Sequence, residues 1–524
     1  MNAQAATSAA VPEGHRGPVT VAVMLATVMQ VLDTTIANVA LPHMQGTMGA
    51  TYEQITWVLT SYIVASAIVT PLTGFIAVRF GRKRLFLWSV IGFTATSMLC
   101  GAAQSLEQIV LFRLLQGIFG ASLVPLSQAV LLDAWPREQH GSAMALWGLG
   151  VMVGPILGPT LGGWLTEYYS WRWVFYINLP FGILAWLGIA AYVRETPMKR
   201  ERSFDWSGFI LLGLAIGALQ MLLDRGGTLD WFASPEIIIE AILAAMGLYL
   251  FVAHSLTHER PFLDLRLFRD RNFVVGLLLI FVVGMILLTT MTLLPPFLQT
   301  LLDYPVVDVG LLLAPRGVGT TIALLIVGRL TGRVDTRALL AIGLVLIAYS
   351  QWDMMQFSLD ISGWDIVRTG LVQGVGLGFL FPPLTAVTFS TLPSDLRNEG
   401  TALYSLIRNI GMSIGVSIVI TLLARFTQAG HAGLVTFVNP FWLPLQAAAD
   451  AGVLDPTTPS GLALIDAEVT RQAALLAYLQ DFRLMMWVTI AALPLVLLLR
   501  SDGRKAAAAG TAGARAAEAP ALPE

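Results

Sequence analysis

The sequence predicts an all-α membrane protein that crosses the bilayer many times, and composition is the first observation that supports this class. Of the 524 residues only 12% are charged, 56% are hydrophobic, and the mean hydropathy is +0.72. Soluble globular proteins carry about 25% charged residues. The second observation is that apolar runs of about 20 residues, long enough to cross a hydrocarbon core of roughly 30 Å as helices, recur along the chain. A soluble protein is therefore excluded.

The apolar runs, and the glycine, proline and charged residues that separate them, predict fourteen membrane-spanning helices. Six spans form a first group, two further spans are inserted after it, and six form a second group. The predicted spans are 19–41, 54–77, 85–103, 107–132, 142–165, 174–193, 206–223, 236–256, 273–302, 309–330, 338–357, 366–392, 401–424 and 482–499.

The distribution of basic residues predicts which side each loop occupies. An even number of spans places both termini on the same side of the membrane. Loops on that side carry most of the basic residues, for example Arg79 to Arg84 and Arg194 to Arg202, whereas the opposite loops carry few, such as Arg172. Because cytoplasmic loops are enriched in Lys and Arg, both termini are predicted to be cytoplasmic.

Two halves of the chain repeat the same pattern of residues. Arg113 and the pair Gln116-Gly117 in the fourth span match Arg368 and Gln373-Gly374 in the twelfth. Paired repeats are typical of secondary transporters, which bind substrate at the repeat interface near the middle of the membrane. The predicted organisation is a cytoplasmic tail at 1–18, a six-helix bundle at 19–193, a linker with the inserted spans at 194–272, a second bundle at 273–499 that includes an outer loop at 425–481, and a disordered cytoplasmic tail at 500–524.

Several other function classes lack support in the sequence. No GK[ST] triplet is present, so the chain has no P-loop for ATP. The net charge of −2 gives no basic stripe for nucleic acid. Cys100 is the single cysteine, and His254 and His258 lack an HExxH pattern, so no metal site or other cofactor is expected. No catalytic triad or GxSxG motif indicates an enzyme.

Five motifs along the chain identify it as similar to a known family. They are LDTTIANVALP at 32–42, GFIAVRFGRK at 74–83, LFRLLQG at 111–117, a Gly/Pro series at 150–163 and WRWVFYINLP at 171–180. Together they resemble the major facilitator superfamily and, within it, the fourteen-helix drug:proton antiporters of the EmrB/QacA type. The resemblance implies the major facilitator fold, with two six-helix bundles plus two inserted helices.

The resemblance also assigns roles to two of these motifs. It implies that the Gly/Pro series is the antiporter motif, formed by Gly150, Gly154, Pro155, Gly158, Pro159, Gly162 and Gly163. It implies a cytoplasmic gating loop formed by Gly74, Arg79, Gly81, Arg82 and Lys83. Close helix packing alone explains the first motif equally well, and anchoring at the membrane edge explains the second. The family carries an acidic residue in this loop where this chain has Val78.

Asp33 and Arg113 are the candidate proton-coupling residues. Both lie among apolar residues well inside predicted spans. A charged side chain at membrane depth is costly and usually faces a cavity or a partner. Asp33 is expected to bind and release a proton, and Arg113, which keeps its charge, to modulate that exchange. The alternatives are a local hydrogen bond of Asp33 to Thr34 or Asn38, and a structural role of Arg113 on backbone carbonyls.

The second half adds candidate residues for substrate. Arg316, Arg368 and Arg408 are predicted as further buried charges, and no acidic residue occurs from Thr369 to Leu392. Relatives that specialise in divalent organic cations carry an added acid in this helix, so the resemblance implies neutral, weakly acidic or amphipathic substrates for this chain. A substrate cavity is predicted from residues that suit varied hydrophobic molecules, although each of them also fits a position in the core or facing lipid. They are Met29, Asn38, Trp57, Gln116, Met285, Met291, Phe297, Gln373, Phe379 and Phe381.

Sequence and resemblance together predict a proton-driven exporter of hydrophobic or weakly acidic toxic compounds in the bacterial inner membrane. The stretches at 223–226, 230–232 and 439–441 resemble inner-membrane subunits of tripartite pumps. That resemblance implies a periplasmic adaptor and an outer-membrane channel as partners. Two alternatives remain open. One is an exporter dedicated to a single metabolite or siderophore, and the other is a membrane-embedded enzyme or scaffold.

Overall fold

The computed structural model describes residues 13–136, 139–196, 198, 204–258, 261–330, 334–393, 396–438 and 458–500. Helices dominate this part of the chain, and no β-strand occurs in it. The predicted tail at 500–524, except for residue 500 itself, and the motif at 439–441 lie outside the described residues.

The first half of the chain begins as a single long helix and continues through shorter ones. The bounds are α1 Glu13–Met48, α2 Tyr52–Val69, α3 Leu72–Phe80, α4 Arg82–Ala102, α5 Leu106–Gly120, α6 Leu123–Ala134, α7 His140–Tyr168, α8 Trp173–Tyr176 and α9 Asn178–Tyr192. The inserted pair is α10 Trp206–Arg225 and α11 Pro235–Thr257. The second half consists of α12 Arg271–Pro296, α13 Val306–Leu330, α14 Thr336–Met354, α15 Gly363–Ser390, α16 Arg397–Val435 and α17 Pro459–Leu498.

Among the described residues, eleven helices are long and apolar enough to cross a membrane, and the bent pair α2–α3 makes twelve. The fifth and eleventh predicted spans correspond to α7, with 29 residues, and α14, with 19. An all-helical membrane protein is therefore confirmed, while the count of fourteen spans stays a prediction.

Breaks within spans occur where the backbone cannot continue a regular helix. The axes of α2 and α3 differ by 56° at Thr70-Pro71, because proline lacks the amide that would continue the helical hydrogen bonds. After Pro295 and Pro296 the end of α12 widens into a π-helical turn at Phe297–Leu301. Such turns frequently occur at functional sites.

The helices pack as two bundles with the inserted pair between them on one side. In the first bundle α1 packs against α6, α7 and α9, and α2 packs against α5. In the second, α13 packs against α15, α12 against α16, and α14 against α15 and α17. The inserted helix α10 contacts both α2 of the first bundle and α16 of the second. It therefore bridges the two bundles.

The start of α1, where Trp135 donates to Thr20 at 3.1 Å, and the last described residue, Arg500, lie at the same end of the molecule. This end is here named the terminal end, and the opposite end is named the distal end. The Asn272 amide at the start of α12 accepts a hydrogen bond from the backbone N–H of Arg500 at 2.7 Å. Contacts between the bundles concentrate in the terminal half, where α7 packs on α13 and α15, and α16 packs on α3 and α6. The bundles are therefore joined at the terminal end.

The predicted outer loop at 425–481 is too long. Helix α16 continues to Val435 and α17 begins at Pro459, so most of that range is helical. At 1.5 Å per residue, helices of 39 and 40 residues are about 58–60 Å long, roughly twice the thickness of the hydrocarbon core. They support each other beyond the apolar run, where His431 hydrogen-bonds Asp466 at 3.0 Å. The N-terminal helix likewise begins earlier than predicted, at Glu13.

Candidate functional site

Asp33 lies in the middle of α1, fully enclosed by the first bundle. Its carboxylate accepts three hydrogen bonds. Arg113 Nη1 donates to Oδ2 at 2.6 Å, and Gln116 Nε2 and Asn178 Nδ2 donate to Oδ1 at 2.9 and 2.7 Å. The side chains of Asp33 and Arg113 are 0% and 1% exposed. Three donors around one carboxyl group satisfy the ionised form of Asp33, which can only accept hydrogen bonds.

Besides Asp33, four other residues contact the side chain of Arg113. Its Nε donates to the carbonyl of Val58 at 3.0 Å, and its Nη1 also donates to Gln116 Oε1 at 2.9 Å. The guanidinium carbon lies 4.4 Å from the centre of the Tyr62 ring and 5.7 Å from that of Phe175. A cation over an aromatic face is stabilised by the ring quadrupole. The guanidinium is therefore fixed in place while Asp33 is its only anionic partner among the described residues.

Asn178 connects this network to Ser97 of α4 and, through it, to α8. Its Nδ2 also contacts Ser97 Oγ at 2.9 Å, and Ser97 donates to the carbonyl of Phe175 at 2.9 Å. The local hydrogen bonds considered as an alternative for Asp33 go elsewhere, since Thr34 donates to Val31 and Asn38 donates to Thr34. The site therefore joins α1, α5 and α9 through polar side chains, and its ion pair can change only if these helices move or Asp33 takes up a proton.

The antiporter-motif glycines bring α7 against the part of α1 that carries Asp33. A Cβ at Gly154 would lie 2.5 Å from Val31 and 3.0 Å from the backbone N of Leu32, and one at Gly158 would collide with Thr35. Gly150 and Gly162 contact α1 less tightly, with a Cβ at 3.3 Å from Met24 and 3.4 Å from Ile36, and Gly163 faces open space. Small residues spaced four apart allow helix backbones to approach closely. The motif therefore supports the helix that holds the carboxylate.

The residues predicted for a substrate cavity occupy several different places. Gln116 belongs to the Asp33 network, and Met29 is enclosed in the first bundle, where Thr94 contacts its sulfur at 3.8 Å. Trp57 lies beneath Arg225 of the inserted pair. Asn38 is exposed, and Met291 and Phe379 are half-buried. Buried Met285 lies where α12 meets α16, at Gly415, and buried Gln373 donates to Thr290 at 3.1 Å.

Two of the four aromatic residues predicted for the cavity, Phe381 and Phe297, lie far apart. Phe381 stacks on Trp147 across the two bundles, with ring centres 5.8 Å apart. Phe297 instead packs at the distal end against Phe357 and Tyr478. The structure therefore does not bring all the predicted residues into one cavity. Trp147, which sequence reasoning did not select, closes the space between the bundles on the terminal side.

The gating loop lies at the contact between the bundles. Gly74 packs so closely on α16 that a Cβ would lie 2.9 Å from Cα of Glu399. Arg82 forms an ion pair with Asp133 at 2.6 Å, and Asp133 also pairs with Arg397 of the second bundle. Val78 leaves the loop without its own acid, and Asp133 supplies the carboxylate that connects the bundles.

Other residues of the gating loop fix its own geometry. Gly81 has φ of +96°, and a Cβ there would meet the carboxyl group of Glu195 at 2.5 Å. That carboxylate accepts hydrogen bonds from the backbone N–H groups of Lys83 and Arg84 at 3.0 and 3.1 Å, which stabilises the N-terminus of α4. Arg79 lies near the rings of Phe75 and Phe80. These contacts stay within the first half of the chain.

The three further arginines of the second half differ in their surroundings. Arg316 is buried in α13, with one hydrogen bond, to the carbonyl of Leu287 at 3.3 Å. Arg408 of α16 is half-buried, and neither arginine has an acidic partner within 4.0 Å among the described residues. The prediction that Arg368 is buried is wrong. Its side chain is 49% exposed and pairs with Asp353 at 2.9 Å, because it lies near the distal start of α15.

The histidines of α11 take part in a contact between helix ends. His254 Nε2 lies 2.9 Å from both oxygens of Asp205, which also accept hydrogen bonds from the backbone N–H groups of Gly208 and Phe262. Ligand atoms of Asp205, His254 and His258 lie within 4.8 Å of one another. Burial acts to raise the pKa of Asp205, but these hydrogen bonds outweigh it and hold the pKa below its usual value. The cluster fastens α10 to α11.

Sequence reasoning missed four residues of functional interest. Asn178 was inside a quoted motif, and its buried amide in an apolar helix was the available signal. Asp133 and Arg397 lie just outside the predicted spans 107–132 and 401–424, where charged residues are common. Asp481 is fully buried with neither carboxyl oxygen hydrogen-bonded, but the predicted span began one residue later.

Two helical bundles joined at one end, with an ion pair buried in the membrane between helices of the first, define a transporter of the secondary class. The sequence matches the model of the Major Facilitator Superfamily over residues 23–416, and the chain belongs to this superfamily. It is a transporter and not an enzyme.

The chain is similar to two bacterial proteins along most of its length. The chain is 40% identical to the multidrug export protein EmrB of Escherichia coli over 425 residues, which cover 80% of this chain and 83% of EmrB. It is 38% identical to the fatty acid resistance protein FarB of Neisseria gonorrhoeae over 488 residues, 92% of this chain and 96% of FarB. The human organic anion transporter MFSD10 shares the fold, with a TM-score of 0.58, 15% identity and coverage of 90% and 99% of the two chains.

Proposed function

We propose that the protein is a proton-coupled multidrug exporter of the bacterial inner membrane. The protein exchanges periplasmic protons for hydrophobic or weakly acidic compounds by alternating access. The observation that carries the proposal is the buried ion pair between Asp33 and Arg113, with its three donors on one carboxyl group. Similarity to EmrB, whose name describes multidrug export, supports the direction and range of transport.

The proposed mechanism uses the two forms of Asp33. The ionised form is held by Arg113, Gln116 and Asn178 and keeps α1, α5 and α9 together. A proton on Asp33 weakens these contacts, because the charge that Arg113 compensates is lost. The helices can then separate. Exchange of a proton for substrate follows if substrate favours the form in which Arg113 and Asp33 are paired.

The arrangement of the bundles supports an assignment of state. The positive-inside rule places the terminal end in the cytoplasm. The contacts at that end include the Asp133 ion pairs and a 2.7 Å hydrogen bond from Ser142 to the carbonyl of Gly328. We assign this structure to the state closed toward the cytoplasm, in which Asp33 exchanges protons with the periplasm.

The proposed coupling predicts the loss of proton release in one variant. Protein in liposomes with a pH-sensitive dye should release protons when substrate binds, because binding favours ionised Asp33. Asp33→Asn should abolish the release, while Asp353→Asn at the distal end of α14 should retain it. Release of normal size from Asp33→Asn would overturn the assignment of the proton site.

A charge argument narrows the substrate class. Arg316 and Arg408 lie within the second bundle with no acidic partner among the described residues. A cation at membrane depth is stabilised by an anion that enters beside it. FarB carries fatty acid resistance in its name, which supports a carboxylate as one such anion. Amphipathic weak acids are therefore the substrates that we expect the second bundle to bind best.

Replacing these arginines should separate weak acids from neutral compounds. A charge-assisted hydrogen bond contributes about 1.5–3 kcal/mol, so Arg316→Gln or Arg408→Gln should raise the KM for a weak-acid substrate roughly tenfold or more. The KM for a neutral substrate should change little, which also controls for folding. Arg368→Gln, at an exposed ion pair, is the matched control. Equal effects on both substrate types would contradict the role of these arginines.

The partner proposal rests on the distal ends of α16 and α17. These helices are longer than a membrane span and extend past the apolar runs of the sequence. In the proposed orientation they reach into the periplasm, where an adaptor that leads to an outer-membrane channel can contact them.

A susceptibility panel tests the range of exported compounds. Export confined to one compound would favour an exporter dedicated to a single metabolite or siderophore over a multidrug exporter.

A further inference from the structure

Among the buried carboxyl groups of the described residues, one with no exposed surface lies in α17, away from Asp33. Asp481 of α17 is 0% exposed, and neither of its oxygens has a hydrogen-bond partner among the described residues. Asp33, by comparison, accepts three hydrogen bonds. Among the described residues, no Lys, Arg or His nitrogen lies within 4.0 Å of the Asp481 carboxyl group. The group is therefore buried without a counter-charge.

The surroundings of Asp481 are aromatic and aliphatic. Tyr478, Phe482 and Met485 lie beside it on the buried face of α17. The Tyr478 ring lies 5.2 Å from that of Phe297, and the Phe357 ring lies 5.8 Å from Phe297 and 6.3 Å from Phe482. We name these four rings, Phe297, Phe357, Tyr478 and Phe482, the distal aromatic cluster.

The ionisable side chains on the other helices around this cluster either pair with other residues or are not neighbours of Asp481. On α14, Asp353 pairs with Arg368 of α15. The described part of α12 and its π turn have no ionisable side chain after Arg271. On α16 the basic residue of this region is Arg425, and on α13 the acidic one is Asp308. On α17 itself, Tyr478 lies three residues before Asp481, and Arg483, two residues after it, is exposed.

An ionised carboxylate without hydrogen-bond partners or counter-charge is strongly disfavoured in such surroundings. The closed packing therefore accommodates Asp481 as the neutral acid. For Asp481 to ionise, water must reach it, and this requires the distal aromatic cluster to open. The π turn at Phe297–Leu301, which directly follows Pro295 and Pro296, is the irregular part of the backbone next to it.

We propose that Asp481 is a second proton-binding site, which holds a proton while the distal end of the second bundle is packed and releases it when the distal aromatic cluster opens. The proposed proton binding at Asp481 follows from the burial of this side chain and does not depend on the proposed antiport. Its contribution to transport rests on the proposed antiport, in which the distal end faces the periplasm. The second bundle would then respond to periplasmic pH independently of Asp33.

The direct test is infrared spectroscopy of the full-length protein in lipid at neutral pH. The wild type and Asp33→Asn should show a carbonyl band of a protonated carboxylic acid that shifts in deuterated water. Asp481→Asn should lack this band. If Asp481→Asn does not fold, Asp481→Leu serves as the second variant, because it suits the apolar surroundings. A spectrum of either variant that matches the wild type in this region would overturn the proposal.

Transport measurements then separate the two proton sites. Asp481→Asn should retain substrate-induced proton release but lose part of the dependence of export on periplasmic pH. Asp33→Asn should lose the release altogether. Release by Asp33→Asn, together with a missing band in Asp481→Asn, would refute the assignment of Asp33 as the antiport proton site and leave the second proton site intact. An unchanged pH profile in Asp481→Asn would overturn its role in transport.

Discussion

Arg113→Met is expected to destabilise the folded protein by about 3–5 kcal/mol at neutral pH, the usual cost of removing one partner of a buried ion pair. The substitution would leave Asp33 enclosed with donors from Gln116 and Asn178 but without a counter-charge. The free energy of unfolding, measured by chemical denaturation in detergent, should fall accordingly.

A second substitution tests whether the missing charge is the cause. Asp33→Asn combined with Arg113→Met should recover most of the lost stability, because neither charge then remains buried. The pair should therefore show a large coupling energy in a double-mutant cycle. Equal destabilisation of the single and double variants would show that Arg113 acts through its packing on Tyr62 and Phe175 and not through Asp33.

The spans could be predicted from sequence because hydropathy is local, whereas several helix ends depend on tertiary contacts. Lipid requires helices within the apolar runs. Past the apolar runs, α16 and α17 continue as helices because they pack on each other, as where Gly430 faces Ala473. A loop was predicted there because neither helix is apolar enough in that region to span a membrane by itself.

For the candidate site, too, the sequence indicates which residues matter but not which of them are in contact. Asp33 and Arg113 stood out as charges in apolar segments, but no pattern in either segment indicates that they meet at 2.6 Å. Arg368 matched Arg113 in the repeat, yet one is half exposed and the other enclosed. Sequence repeats preserve position along a helix better than depth in the membrane. Asp481 was overlooked because Gln480 and Arg483 lower the local hydropathy and moved the predicted boundary past it.

Asp133→Ala is expected to open the terminal end of the molecule. Asp133 is the carboxylate that Arg82 of the first bundle and Arg397 of the second share, and both guanidinium groups are buried. Without it, two like charges face each other across the bundle contact. The loss of about 3 kcal/mol or more that accompanies an unpaired buried charge corresponds to a shift of roughly a hundredfold between closed and open states.

A disulfide across the same contact measures this shift. In a Cys100→Ala background, Ser142→Cys and Gly328→Cys would form the reporter pair, because a Cβ at Gly328 would lie 3.8 Å from Cα and 3.9 Å from Oγ of Ser142, close enough for the two side chains to reach each other. Oxidation should link the pair readily in otherwise unchanged protein and much more slowly with Asp133→Ala. Asp264→Ala, which removes an exposed pair with Arg266 at the same end, is the control. Equal rates in all three proteins would show that Gly74 and Glu399 hold the bundles together without the shared carboxylate, and that the loss of an acid at Val78 is compensated by packing.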